Sequence, residues 1–183
     1  MANLILQSLL EGSKSTKMIF PSHTHALTKF FAGPAFISAL IDKKFVNEFS
    51  SGRFREALDS FNQGANANAR APDGKNALMH GVLFSSFNFV WELRRSGVDP
   101  HAQDNYGNTA FIYAAMRSDT HLGQTIHEQF GADPSIKNNQ NVDAFDIAKL
   151  KAGQDPLNGG PFLRFLNETF KPEGFNETFR PEG

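Results

Sequence analysis

Apolar residues recur at intervals of three and four along the middle of the chain, and the segments that carry them recur every 33 to 34 residues. Each period holds two such segments, and the pattern predicts two short helices per unit, each with one apolar face. The predicted first helices contain Ala77, Leu78 and Val82 in one unit, then Ala110, Phe111, Ala114 and Ala115 in the next. The predicted second helices contain Phe87, Val90 and Leu93, then Ile126 and Phe130. A period of this length is typical of stacked arrays in which each unit buries its apolar face against its neighbours, so we predict an all-α fold.

Glycine occupies the same two places in consecutive periods. Gly64, Gly97 and Gly131 follow predicted second helices, where a residue that tolerates positive φ ends a helix and turns the chain. Gly74 and Gly107 lie between polar residues just before predicted first helices, as the tip of a tight turn requires. The two sets stay in phase, which indicates that turns and helices belong to one repeating unit.

Several of these segments resemble the ankyrin repeat family. The run NTAFIYAA at residues 108–115 is similar to the family's first-helix motif, and the run GADP at residues 131–134 is similar to its closing turn. Residues 50–54 resemble the inter-helix turn of an earlier, less regular repeat. The chain departs from the family motif at two positions. Ala77, Ala110 or Ala144 stands where the motif has proline, and Met79, Ile112 or Asp146 stands where the motif has histidine. The resemblance implies an ankyrin-repeat solenoid over residues 36–153, with helix-turn-helix units at 36–70, 71–103, 104–137 and 138–153.

The two ends of the chain do not follow the period. Residues 1–35 are predicted to be an N-terminal extension or cap, and the apolar spacing of residues 35–49 predicts a helix at the start of the array. Residues 154–183 are predicted to hold a C-terminal cap helix after Pro161, followed by a nine-residue duplication at 166–174 and 175–183. Three interpretations of this tail stay open: a solvated segment, a segment that lies across the array, or a docking motif. The anchors of such a docking motif would be Phe170, Phe175 and Phe179.

Composition narrows the class of protein. The net charge is −1, which gives no reason to expect nucleic acid as a partner. The absence of cysteine excludes disulfides and thiolate metal sites. The longest apolar runs, residues 4–10 and 35–41, are shorter than the ~20 residues of a membrane span, and the N-terminus lacks a classical signal-peptide layout. We therefore expect a soluble monomer, cytoplasmic or exported without a classical signal peptide.

No recognised catalytic motif is present in the sequence. His23 and His25 could chelate a metal, but no third ligand is evident near them. Asp143 and Asp146 stand near a predicted helix start, where carboxylates interact favourably with the helix dipole, and this interpretation is favoured over an acid/base pair. We therefore predict a protein that is not an enzyme and that needs neither a cofactor nor a metal.

The resemblance implies that turn tips and first-helix ends form one concave side, which ankyrin proteins use to bind other proteins. Carried over by position, the partner-binding residues are Asp73, Lys75, Phe84, Asn105, Tyr106, Asn108, Met116, Arg117, Asn139 and Gln140. The leading hypothesis is a non-enzymatic protein-protein interaction module that acts as a scaffold, an inhibitor or a bacterial effector. The alternative is a regulatory subunit that senses a small molecule in a pocket between the array and the terminal extensions. An enzyme with its site in residues 1–49 is disfavoured because too few polar groups converge there.

Two aromatic features complete the prediction. Phenylalanine occurs 19 times, and we expect it mainly to fill the seams between helices, although some copies could form a partner surface. Trp91 falls on a predicted second helix, where it could form a cation–π pair with Arg94 or Arg95 or a contact on the convex face.

Overall fold

The structure, a computed structural model, describes residues 34–170, and over that range the chain forms only α-helices and the turns between them. The helices are α1 Pro34–Ser50, α2 Phe54–Asn62, α3 Ala77–Leu83, α4 Phe87–Leu93, α5 Ala110–Arg117, α6 Thr120–Phe130, α7 Ala144–Gln154 and α8 Pro156–Thr169. The all-α prediction is confirmed for these residues. From Ser38 onward the described chain belongs to one compact unit.

The helices alternate in the predicted order, and their starts keep the period. The helices α3, α5 and α7 begin at Ala77, Ala110 and Ala144. Each is capped by the residue before it, because the side chains of Asn76, Thr109 and Asp143 accept the backbone N–H three residues ahead. The caps satisfy amides that have no partner within the helix, so replacing the motif proline by alanine leaves the helix start intact.

The turns between paired helices are equivalent in three consecutive units. Gly52, Ser85 and Ser118 have φ angles of 73°, 51° and 54°, and each donates its N–H to the carbonyl three residues earlier. The next residue in each turn donates to the carbonyl five residues earlier, which closes the helix end in the same way each time. The predicted inter-helix turn at residues 50–54 is confirmed. Ser85 and Ser118 escaped prediction because serine gives no indication of a left-handed backbone.

The glycines predicted to close each unit also occupy equivalent positions. Gly64, Gly97 and Gly131 have φ angles of 98°, 71° and 69°, and a Cβ placed on any of them would meet no atom within 4 Å. At the turn tips, Gly74, Gly107 and Asn141 have φ angles of 83°, 77° and 61°. Positive φ therefore recurs in phase at three kinds of turn, as stacked units of one design require.

Aromatic and aliphatic side chains from successive units fill the core. The largest fully buried side chains are Phe45, Phe49, Phe89, Phe111, Phe162, Leu78, Met79, Leu93, Ile112, Leu122, Ile126 and Leu166. Among the described phenylalanines only Phe36 and Phe84 are exposed, so the prediction that phenylalanine mainly fills seams is confirmed for this part of the chain. Helix α7 ends this apolar pattern: exposed Asp146 and Lys149 stand where α5 buries Ile112 and Ala115. Charged groups at these positions suit a helix whose outer side meets water.

The C-terminal helix starts earlier than the sequence predicts. We expected it after Pro161, but α8 begins at Pro156, where the Asp155 side chain accepts the N–H groups of Leu157 and Asn158. Proline suits the first position of a helix, and Pro161 lies inside α8. Gly159 lets α8 lie against the backbone of α7, because a Cβ there would be 2.4 Å from the Lys151 carbonyl carbon.

The first copy of the C-terminal duplication is partly integrated into the fold. Phe170 follows α8, and its ring makes edge contacts with those of Phe111, His127, Phe145 and Phe165 at centroid distances of 4.4–6.4 Å. Phe170 therefore closes the aromatic core at the end of the array. The other two predicted tail anchors, at positions 175 and 179, lie outside the described residues.

Candidate functional site

The turn tips that precede the first helices form a hydrogen-bonded ladder. The Asn105 N–H donates to the Asp73 carbonyl at 3.1 Å, and the Asn139 N–H donates to the Tyr106 carbonyl at 3.1 Å. The Nδ2 atoms of the same two asparagines donate to the carbonyls of Pro72 and Asn105, also at 3.1 Å. Both asparagines were predicted to contact a partner, but their amide nitrogens already bind the neighbouring tip.

The ladder leaves no room for a side chain at its glycines. A Cβ on Gly74 would lie 2.8 Å from the Asn105 nitrogen, and a Cβ on Gly107 would lie 2.6 Å from the Asn139 nitrogen. Both distances are shorter than van der Waals contact allows. Glycine is therefore needed at these tips for the close approach of the next tip, in addition to the positive φ.

The side chains of Arg70 and Gln103 form a second row of hydrogen bonds between the tips. Arg70 Nη1 donates to the Gly74 carbonyl at 3.0 Å and to the Gln103 carbonyl at 2.7 Å. Gln103 Nε2 repeats the arrangement one unit later, with the carbonyls of Gly107 at 2.7 Å and Lys137 at 2.9 Å. Each long side chain thus bonds its own tip and the start of the next, which fixes the register of the stack.

A buried ionic network lies beneath the first two tips. The Asp104 carboxylate accepts the N–H groups of Tyr106 and Asn108 at 2.9 Å and also the Tyr113 hydroxyl. Lys75 Nζ lies 2.9 Å from Asp73 Oδ2 and 3.5 Å from Asp104 Oδ2. This network joins one tip to the next, because Lys75 and Asp104 belong to successive units.

The network also explains the titration of its members. Burial by itself would lower the pKa of Lys75, but the bond to Asp73 and the nearby Tyr113 outweigh burial and raise that pKa. Burial and the bond to Asp104 raise the pKa of Tyr113. The Lys75 side chain is only 12% exposed, so this predicted partner-binding residue holds the fold together.

The first-helix ends form a second exposed row. Phe84 lies over the preceding inter-helix turn, because a Cβ on Gly52 would meet the Phe84 ring at 3.5–3.8 Å. One unit later, Arg117 lies over the equivalent turn and donates from Nη2 and Nε to Ser85 Oγ at 2.7 and 3.1 Å. Each first helix therefore covers the turn of the unit before it, by an aromatic ring in one case and by a guanidinium in the other.

The predicted partner-binding residues separate into exposed and internal groups. Tyr106 is 66% exposed and Phe84 is 54% exposed. Asn105, Arg117, Asn139 and Gln140 are also exposed, whereas Asp73 and Met116 are half-buried. The prediction is wrong for Asn108 as a surface residue: it is 7% exposed, and its Oδ1 accepts a hydrogen bond from Asn138 Nδ2. A side chain buried in this way cannot reach a partner, and Asn108 instead connects two tips.

The second helices carry an aromatic stack of their own. The Arg94 guanidinium lies 4.5 Å from the Trp91 ring centre, so the predicted cation–π pair is confirmed with Arg94. Phe87 stacks on Trp91 at 6.0 Å and on His121 of the next second helix at 4.4 Å. These contacts link α4 to α6, and Trp91 remains 37% exposed.

The carboxylates of Asp143 and Asp146 lie at the start of α7. Asp143 and Asp146 form a capping box at the start of α7, which confirms the helix-start interpretation. Within residues 34–170 no three His, Asp or Glu side chains are grouped closely enough to hold a metal ion. The pair His23 and His25 lies outside the described residues.

Sequence reasoning missed His80 as a residue of interest. It lies in α3, is 7% exposed, and neither ring nitrogen has a hydrogen-bond partner among the described residues. The repeat period shows that His80 lacks the acidic partner of its equivalent residue. His80 is equivalent to Tyr113, 33 residues later, and position 71, which corresponds to Asp104, is alanine.

Helices long and apolar enough to cross a bilayer are absent from residues 34–170. The chain matches no protein-family model, and it matches no curated protein.

Proposed function

We propose that residues 36–153 are an array of ankyrin-type repeats that binds one protein partner and catalyses no reaction. The tip ladder carries this proposal, because it brings equivalent residues of successive units into a single row. Such a row presents side chains at regular intervals along one side of the stack, which suits recognition of an extended protein surface.

The part of the proposal that concerns the fold rests on the shared period of the helices, the turns and the hydrogen bonds between tips. Paired helices, three series of positive φ and two rows of inter-tip hydrogen bonds all repeat at 33 to 34 residues. The first-helix motif at 108–115 supplies the resemblance, and its threonine caps α5 as the motif would require. These features together favour the ankyrin type over other helical arrays.

The part of the proposal that concerns binding rests on what remains exposed on the turn tips and on the first-helix ends. Tyr106 projects from a tip, Phe84 and Arg117 cover successive inter-helix turns, and Gln140 stands on the last tip. Tyrosine and arginine are enriched among residues that dominate binding energy at interfaces. Exposed aromatic rings beside polar amides match the composition of protein-protein interfaces.

The proposed action is steric. The side chains of successive tips hold one another, as Lys75 holds Asp104. A rigid row of this kind can mask, scaffold or inhibit the protein that it binds. Inhibition of an enzyme and delivery into a host cell as a bacterial effector are the two specific forms that we propose.

The test is affinity capture with matched surface variants. The first bait is the wild-type chain, and the second carries Tyr106→Ala with Arg117→Ala. The control bait carries Trp91→Ala with Arg95→Ala, which removes one aromatic ring and one arginine from a second helix instead. Circular dichroism and thermal melting establish that all three baits are folded before lysate of the native cell is applied.

We expect one protein to be retained by the wild-type and control baits and to be lost from the Tyr106/Arg117 bait. Mass spectrometry identifies it, and titration with the purified partner measures the change in Kd. Loss of two hot-spot contacts of about 2 kcal/mol each predicts a weakening of roughly a thousandfold. Equal capture by all three baits would contradict binding through Tyr106 and Arg117.

A further inference from the structure

His80 lies at the seam between the first two units. It occupies the middle of α3 and is 7% exposed. Its ring centre is 5.2 Å from that of Phe49 on α1 and 6.3 Å from that of Phe84, with which it stacks at an interplanar angle of 16°. The imidazole is therefore enclosed by aromatic rings from both sides of the seam.

The surroundings of His80 offer it no hydrogen bond. Both Nδ1 and Nε2 are inaccessible to solvent and unpartnered among the described residues. In the next unit the equivalent Tyr113 donates to the buried Asp104, whereas the residue equivalent to Asp104 beside His80 is Ala71. A buried polar group without a partner costs free energy, and a buried charge without a partner costs much more.

Two ion pairs lie on α1 and on the turn before α3, whereas the charged residues of α2 and α4 are exposed to solvent. On α1, Lys44 lies 3.7 Å from Glu48. On the turn before α3, Lys75 lies 2.9 Å from Asp73. Burial lowers the pKa of His80, and the Asp73 carboxylate opposes this shift whereas the Lys75 ammonium adds to it. A proton on the enclosed ring would therefore compete with the Lys75 ammonium for the Asp73 carboxylate.

We propose that protonation of His80 releases the α1–α2 hairpin from α3 and α4 and frees Phe84 from the seam. Phe84 rests on the Gly52 turn and on the Phe54 ring of α2 at 5.6 Å, so opening of the seam removes both supports from this exposed ring. Acidification then weakens partner binding at Phe84, a consequence that rests on the proposed function. The opening itself is a property of the chain alone.

The size of the effect follows from proton linkage. In the closed state burial holds the pKa of His80 below its ordinary value, whereas in the open state the ring titrates with the ordinary pKa of about 6.5. The closed state therefore has its full stability above pH 6.5 and loses it as the pH falls below that value. Between pH 7.5 and 5.5 the opening equilibrium constant of the hairpin should rise about tenfold.

Hydrogen exchange of the full chain measures this directly. Amide protection of Phe45, Phe49 and Ala57 reports opening of the hairpin, and protection of Ala114 and Ala115 in α5 provides an internal reference. Rates are corrected for the intrinsic effect of pH. His80→Met keeps a long apolar side chain and removes the titrating ring, and His121→Asn removes an exposed imidazole as the matched control.

In the wild type and in His121→Asn we expect hairpin protection to fall about tenfold relative to α5 between pH 7.5 and 5.5. In His80→Met the ratio should stay constant. The same tenfold fall in His80→Met would overturn the proposal. If that variant does not fold, the ring proton shifts of His80 in the wild type decide: titration near pH 6.5 with α1 still protected overturns the proposal, whereas titration only as α1 opens supports it.

Partner binding is measured separately. Acid opening without any partner that depends on Tyr106 and Arg117 would contradict the proposed function and leave the His80 proposal intact. A partner that binds through the row with no opening between pH 7.5 and 5.5 would contradict the His80 proposal alone.

Discussion

Replacing Gly107 by alanine tests the stacking of the turn tips. Gly107 has a φ angle of 77°, and a Cβ on it would lie 2.6 Å from the Asn139 nitrogen and 2.5 Å from Asn139 Oδ1. The side chain of Asn139 can rotate away, but its backbone cannot move without separating the two tips. Gly97 offers a matched control, since its φ is 71° and no atom lies within 4 Å of its hypothetical Cβ.

Both substitutions place an alanine in a left-handed backbone, but only Gly107→Ala also disrupts the contact between tips. A left-handed backbone costs an alanine about 1 kcal/mol more than a glycine, and both variants carry that cost. Gly107→Ala must also break the two hydrogen bonds that Asn139 donates to the preceding tip, each worth about 1 kcal/mol. We therefore expect a loss of about 1 kcal/mol for Gly97→Ala and about 3 kcal/mol for Gly107→Ala.

Urea unfolding followed by circular dichroism measures both losses from the midpoints and slopes of the transitions. The slope should be unchanged in both variants, so that the midpoint reports stability. Losses that agree within about 0.5 kcal/mol would refute the reasoning, because the contact between tips would then contribute nothing.

Three further substitutions test other contacts by the same unfolding measurement. Lys75→Met keeps the aliphatic stem but leaves Asp104 without its cation, and we expect a loss of about 2–3 kcal/mol, whereas a neutral result would contradict a structural role for the pair. Phe170→Ala removes a half-buried ring from the end of the core and should cost about 2 kcal/mol; no loss would place this residue outside the fold. Asp143→Ala removes the cap of α7 and should cost about 1 kcal/mol, while Asp146→Ala, which leaves the Asp143 cap in place, should cost less.

The periodic features of the fold could be predicted from the sequence. Apolar spacing indicated the paired helices, and glycines at 64, 97 and 131 indicated equivalent corners, because these features depend only on local backbone preferences. The position of Asp143 near a helix start could be predicted for the same reason. The inter-helix turns at Ser85 and Ser118 could not, since their left-handed backbone is imposed by the flanking helices and not by serine.

The binding row could be predicted only in part. Position within the repeat indicated which residues face the row, and Tyr106 and Phe84 are indeed exposed. Position did not show that Asn108 is buried or that Lys75 pairs with Asp104, because these contacts join neighbouring units. The unpartnered ring of His80 arises within one unit, where Ala71 occupies the position equivalent to Asp104.

The central claim is that equivalent turn tips bind one another across successive units. Its most direct measurement is a long-range NMR experiment that detects scalar coupling across hydrogen bonds, applied to the isotope-labelled chain. We predict one coupling between the Asn105 amide nitrogen and the Asp73 carbonyl and another between the Asn139 amide nitrogen and the Tyr106 carbonyl, with slow exchange of both amides. Absence of both couplings, with rapid exchange at these exposed asparagines, would contradict the stacked arrangement.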